Sequence, residues 1–210
     1  MYIPPYYKET DEPKLVEFMN ANSFAVLINS QNNNLRATHL PFIIEKRNDK
    51  IHLISHMAKA NPQWKEFTEN ELLIIFQGPH AYISPTHYEK KQNVPTWNYI
   101  AVHAFGKATI IENPQSIIAV LEKTIHTYET SYIEQWKGLS DEYKNGMIKG
   151  IVAFEIEVSR LEGKFKLSQN KTKIEQQNIV TAFEKSDDSL LVGIAKEMKR
   201  ICSDYLAITL

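Results

Sequence analysis

The 210-residue chain has one cysteine, seven glycines, no excess of either charge and no long apolar run. Each shortage narrows what it can be. A single Cys202 permits neither an intramolecular disulfide nor a cysteine-based zinc site. With 24 Lys+Arg against 25 Asp+Glu, the chain lacks the broad positive field that drives non-specific binding to nucleic acid or anionic membranes. No apolar stretch approaches the roughly 18 residues of a spanning helix. The opening MYIPPYYKETDEP carries neither the basic nor the apolar segment of a signal peptide, so a soluble, cytoplasmic protein is expected. Also missing are GxSxG, the GxxxxGK[ST] phosphate loop, GxGxxG and HExxH, which argues against the common hydrolase, kinase, dehydrogenase and zinc-protease chemistries.

What is present suits a globular α+β protein. Hydrophobic residues make up 43% of the chain, and a chain of this length buries roughly 70% of its unfolded surface without a metal or disulfide staple. Thr10-Asp11-Glu12-Pro13 reads as the start of a short helix. Residues 23–29 and 35–45 read as a hairpin with an edge or bulge at Pro41, and 51–56 as a third strand. Asn61-Pro62 and Asn113-Pro114 each combine a capping side chain with proline at the first helical position. Residues 71–77 form a short apolar run ended by Gly78-Pro79. Residues 97–111 resume as a long strand with a bulge expected at Gly106. Ser140-Asp141-Glu142 caps another short helix, 151–158 is the last strong strand, and two helices follow, the second with Ile194, Met198, Ile201 and Cys202 on one face. This order of elements predicts an antiparallel sheet or small barrel with helices inserted between strands. Residues 1–170 are expected to form the sheet domain and 171–210 a helical appendage.

Polar and aromatic residues are dense in a few places. Arg36-Ala37-Thr38-His39 interrupts an apolar strand, with Arg36 and Thr38 on one face and His39 on the other. Ser55-His56-Met57-Ala58-Lys59-Ala60-Asn61 lies where a strand ends and a capped helix begins, a junction that offers a hydroxyl, an ammonium and backbone N–H groups to a phosphate monoester. The bland alternative makes Lys59 a solvated charge and Asn61 only a cap. In the loop-rich stretch 76–99, Tyr82, Tyr88, Trp97 and Tyr99 either cover a barrel end, pack as core or interface, or stack on a flat ligand. Lys164 and Lys166 alternate with apolar residues just past the last strand. The seven histidines form no compact metal-ligand pattern, so ordinary hydrogen-bonded histidines are expected. Cys202 reads as a small buried hydrophobe.

His39-Leu40-Pro41, SHMAKANPQW at 55–64, FQGPHAYISPTHY at 76–88, VPTWNYIAVHAFG at 94–106 and GKFKLSQNK at 163–171 resemble the motif series of the PaiB-type FMN-binding negative transcriptional regulators. The opening MYIP matches as well. The resemblance implies an antiparallel split β-barrel related to the pyridoxamine-phosphate-oxidase flavoproteins, with peripheral helices and a helical C-terminus, forming a homodimer with FMN at the subunit interface. It implies cofactor-binding roles for Arg36, Thr38 and His39 on the second strand, and for Ser55, His56, Lys59 and Asn61 around the phosphate. Gln77, Tyr82, Ser84, Trp97 and Asn98 would complete the pocket, with Lys166 near the ring carbonyl edge, where a cation stabilises negative charge on a reduced flavin. Only one arginine, Arg36, stands among these candidates. No helix-turn-helix with a basic recognition helix is recognisable, and Lys196, Lys199 and Arg200 on the last helix are interrupted by Glu197 and Asp204. A flavin- or redox-responsive regulator is therefore the leading expectation, with DNA or a partner protein as a further ligand. An FMN-dependent oxidoreductase acting on a small molecule is the alternative, and a ligand-free interaction scaffold a third possibility.

Overall fold

The computed structural model describes residues 1–67 and 70–207, with side chains as far as Ile201, so Cys202 lies outside the side chains described. The elements are β1 (Lys8–Glu9), α1 (Glu12–Ala21), β2 (Phe24–Gln31), β3 (Asn34–Pro41), β4 (Ile43–Arg47), β5 (Lys50–Ala58), β6 (Leu72–Ile83), β7 (Thr96–Ile111), α2 (Pro114–Tyr128), α3 (Ile133–Gly138), α4 (Asp141–Ile148), β8 (Ile151–Lys166), α5 (Lys173–Phe183) and α6 (Ser189–Ala207). The strands join one sheet in the order β3-β2-β6-β7-β8-β5-β4, with β1 added to β8. The α+β class expected from the sequence is the one found.

Local chemistry explains most of the boundaries. Asp11 Oδ1 accepts from Lys14 N at 2.9 Å and caps α1. Both early hairpins turn on two residues in the left-handed region, Asn32-Asn33 (φ 51° and 64°) and Asn48-Asp49 (φ 49° and 61°). Asn and Asp tolerate that region, and two-residue turns of this kind match the twist of the flanking strands. Pro41 does not lie inside a continuous strand, as expected, but ends β3. Proline has no ladder donor, and the next N–H, of Phe42, leaves the sheet to donate to Ser23 O at 2.9 Å.

Four other expectations are corrected. The Asn61-Pro62 start gives only a 3-10 helix, Pro62–Glu66. Gly78-Pro79 does not end β6, which runs on to Ile83. Instead the alternation slips by one: Leu72, Ile74 and Phe76 are buried before the pair, Ala81 and Ile83 after it. Gly106 marks no bulge, since buried residues alternate unbroken through it. A Cβ there would lie 2.3 Å from Glu157 O, so the glycine admits the backbone of the neighbouring strand. The last strand is twice the expected length, 16 residues, and so carries Lys164 and Lys166 within it.

The chain divides into two compact units: Met1–Leu15 with Gln77–Val102 and Glu162–Leu210, and Val16–Phe76 with His103–Leu161. In the second unit Phe42, Phe67, Phe76 and Phe154 are fully buried, with Phe67 and Phe154 edge to face at 5.0 Å. Burying such a side chain contributes about 1.5–3 kcal/mol. In the first unit Ile179, Val180 and Phe183 of α5 and Ile194, Ala195 and Met198 of α6 are buried. Gly193 lets α6 approach Pro79, whose Cβ would stand 2.9 Å from an added Cβ.

Candidate functional site

The sequence candidates fall into two groups, one in each unit. In the second unit, Arg36 and Thr38 project from one face of β3 toward the 3-10 helix. Arg36 Nε donates to Glu66 Oε1 at 2.8 Å, and Glu66 Oε2 accepts from Asn29 Nδ2 at 2.8 Å. Asn29 Oδ1 accepts from Gln63 Nε2 at 2.8 Å. The Thr38 hydroxyl donates to Gln63 Oε1 and accepts from Asn61 Nδ2 at 2.9 Å. Asn61 Oδ1 also caps the helix by accepting from Gln63 N at 3.0 Å. These bonds form one continuous network centred on Gln63, which is only 1% exposed.

Sequence reasoning found Arg36, Thr38 and Asn61 but missed Asn29, Gln63 and Glu66, which link them. The only signal was that two of the three stand in the quoted run 55–64 or just past it. The network engages the Thr38 hydroxyl and the Asn61 amide internally and sets a carboxylate against the guanidinium. Lys59 is different. It is exposed, its carbonyl accepts from Trp64 Nε1 at 3.1 Å, and its ammonium has no partner among the described residues. His39 lies on the other face of β3, stacked on Phe24 at 6.2 Å. Ser55 is buried, with its hydroxyl donated to Pro41 O at 2.6 Å. His56 is half-buried on β5, and desolvation lowers its pKa from 6.5.

In the first unit, Trp97 is half-exposed and flanked by two rings of β6, His80 at 6.0 Å and Tyr82 at 6.2 Å. The Lys166 ammonium donates to Trp97 O at 2.6 Å and to the Thr96 hydroxyl, with the Tyr7 ring 6.0 Å away. Burial, and then the charge of Lys164, lower the Lys166 pKa. Asn98 faces the opposite way, fully buried, and bonds Ser168 Oγ at 2.9 Å. Ser84 caps the 3-10 helix Pro85–His87 by accepting from Thr86 N at 3.2 Å. Gln77 is exposed at the slip in β6. Thus Tyr82, Trp97 and Lys166 stand together, while Asn98 and Ser84 serve the scaffold.

His80, which the sequence left unassigned, adds a further feature. Its Nδ1 is buried with no hydrogen-bond partner, and buried polar atoms are seldom left so. A flat, half-exposed indole, an imidazole nitrogen in want of a partner and an ammonium with a third donor to give are the parts a conjugated heterocycle with a polar edge requires. Among the described residues no three His, Cys, Asp or Glu side chains group closely enough to hold a metal. No helix there is long and apolar enough to cross a membrane.

Comparison with known proteins gives the context. The chain is 36% identical over 210 residues to the "Protease synthase and sporulation protein PAI 2" of Bacillus subtilis (strain 168), covering 98% of each. It is 30% identical to an uncharacterized protein of Aspergillus fumigatus, with 95% of this chain and 97% of the relative covered. Among solved structures it is similar to the flavocytochrome Anf3 of Azotobacter vinelandii, at TM-score 0.62 and 13% identity, covering 78% of this chain and 72% of that one. A FAD and heme binding protein of Mycobacterium smegmatis gives TM-score 0.59 and 12% identity, with 76% and 73% covered. At such identities the likeness establishes the fold alone, the split-barrel class expected from the motif series. Residues 1–160 match the family described as "Putative FMN-binding domain", and with the full-length likeness to the Bacillus protein this makes the chain a member of the PaiB-type branch of that family.

Proposed function

We propose that this protein is an FMN-binding negative transcriptional regulator that acts as a flavin- or redox-responsive homodimer. The observation that carries the reading is the grouping of Trp97, His80, Tyr82 and Lys166 in the first unit. An indole face suits a flat ring, and the ammonium suits its electron-rich edge. For the phosphate the motif resemblance, and no distance to the first unit, supports Arg36 and Lys59, whose ammonium has no partner among the described residues. FMN, when bound, supplies one- and two-electron redox chemistry. The residues of this chain bind it, orient it and set the charge around it.

Family membership and the flavin- and haem-binding names of the structural relatives support a flavin ligand. Among the described residues of the last helix, Lys199 pairs with Glu184 and Arg200 with Glu197 at 3.7 Å, which offsets two of its positive charges.

The test is a visible absorbance titration of the purified chain with FMN, with the mass of the apo and holo forms measured by light scattering. Saturable binding of one flavin per chain with a perturbed spectrum, on a particle of twice the chain mass, is the expected result. An unperturbed flavin spectrum overturns the flavin assignment. Transcripts that rise on deletion of the gene should fall on return of the wild-type protein and not of a binding-deficient variant. Steady oxidation of a reduced nicotinamide in the presence of FMN, with no such transcripts, would favour the oxidoreductase instead.

A further inference from the structure

Strand β1 is two residues long, and its place in the sheet puts two like charges side by side. Lys8 is the register partner of Lys164, and Glu9 of Gly163. Directly opposed residues of an antiparallel pair share a face, and like charges there destabilise the pair. Lys166 follows two residues on, on the same face of β8. The close approach of β1 is permitted by Gly163, where an added Cβ would stand 2.4 Å from Leu15 Cδ2 and 3.0 Å from Glu9 O.

Among the described residues Lys8, Lys164 and Lys166 form no ion pair. Glu162, the acidic residue on the same face, is engaged by the amino group of Met1. Lys164 is instead set between rings, 5.2 Å from the centroid of Tyr99 and 5.8 Å from that of Tyr2. One of its N–H groups goes to Tyr2 O at 3.1 Å, which leaves two to give. Tyr2 is 84% exposed, so most of its ring is open to solvent beside the Lys164 ammonium. A face with three ammonium groups, no free carboxylate and aromatic walls is complementary to an anion carried on a ring.

We infer that the Lys8–Lys164 pair, with Tyr2 and Tyr99, forms a binding site for a small aromatic carboxylate. The carboxylate takes the remaining N–H groups of Lys164 and Lys8, and the ring lies against the tyrosines. Lys166 adds charge but is committed to Thr96 and Trp97. The site lies wholly within the first unit and does not require the flavin reading.

The experiment is a calorimetric titration of the full chain with salicylate at fixed ionic strength and with no flavin added, so a failure here is separate from a failure of FMN binding. Saturable binding at one per chain is expected, weakened about tenfold by Lys8→Gln and by Lys164→Gln, the change expected for loss of one charge-assisted hydrogen bond. Lys107→Gln, on an exposed residue of the second unit, should leave it unchanged. Tyr2→Leu, too exposed to affect folding, should weaken salicylate and leave competition by inorganic phosphate as it was. Absence of saturable binding, or variants of Lys8 and Lys164 that bind like the wild type, overturns the site. Phosphate binding without salicylate binding overturns the aromatic carboxylate.

Discussion

Asn98 and Ser168 exchange two hydrogen bonds across 70 residues of sequence: the Asn98 amide donates to Ser168 Oγ at 2.9 Å, and the Ser168 hydroxyl donates to Asn98 Oδ1 at 3.1 Å. Both residues are buried, and Ser168 holds a left-handed φ of 63°, a costly conformation for serine that the bonds help to hold in place. The pair ties the end of β8 to β7 just beyond Lys166.

Replacing Asn98 by leucine should therefore act on the scaffold. It leaves the Ser168 hydroxyl buried and unpaired, which costs about 1–3 kcal/mol. Urea denaturation should show that loss, and Ser168→Ala should lose less in the Asn98→Leu background than alone, because the two share one interaction. Independent, additive losses would show that the pair is not coupled.

Gly106→Ala should be among the more damaging small substitutions. The new methyl would stand 2.3 Å from Glu157 O and 2.8 Å from Ile156 Cγ2. Backbone cannot rotate aside as a side chain does, so the strands must part. Overpacking of this kind typically costs about 1–3 kcal/mol and occasionally more. Gly146→Ala is the control, since a Cβ there meets nothing within 4 Å and alanine improves the helix. A melting temperature lowered by Gly146→Ala as much as by Gly106→Ala would contradict this account.

The sequence was most legible where the signal is local. Asn113 and Ser140 cap their helices, and the paired turn residues set both hairpins, because caps and turns depend on a few neighbouring side chains. Strand ends were less legible. β6 and β8 outrun their apolar cores because their later residues pair across the sheet, and period-two patterns reset at the slip after Phe76. The candidate site divided in the same way. Arg36, Thr38 and Asn61 could be picked by type, but Gln63 and Glu66 lie in a helical turn marked only by its Asn61-Pro62 start, and only the fold brings them to Asn29. Asn98 illustrates the reverse: the resemblance implies a place in the pocket, and the fold turns it inward to Ser168.

Gln63 should be the least replaceable member of the polar network. Gln63→Leu leaves the Asn29 carbonyl and the Thr38 hydroxyl without their partner and removes bonds to Leu27 O and Arg36 O. A loss of about 2–3 kcal/mol is expected, at the upper end for a buried partner removed. Amide exchange should speed at residues 36–38 of β3 before it does at the phenylalanine core. Unchanged exchange there would show that β3 is held by its ladder to β2 alone.

Lys59→Ala separates binding from folding. The side chain is exposed and its ammonium unpaired among the described residues, so stability should hardly change. FMN affinity should fall by about 1.5–3 kcal/mol if the ammonium meets the phosphate, and riboflavin, which lacks that phosphate, should bind wild type and variant alike. An FMN titration unchanged by the substitution would remove Lys59 from the site.

His56 gives the chain an acid-sensitive term. Burial lowers its folded pKa below the unfolded value of 6.5, so below that pH the unfolded chain binds more protons than the folded one. The contribution is full above 6.5 and is lost as pH falls through the lower folded value. His87, lowered by burial as well, acts with the same sign. Carboxylates such as Glu157, whose bond to Lys50 lowers its pKa from 4.5, lose their contribution only in more acidic solution, so the histidines dominate the slope between about pH 7.5 and 5.5. Urea midpoints should fall over that interval for the wild type and fall less for His56→Gln, which keeps a polar side chain without a titratable proton. The two slopes should converge above pH 7.5, where both chains are neutral at this position. Parallel slopes across the whole interval would show that His56 is solvated in both states and would assign the acid sensitivity to His87.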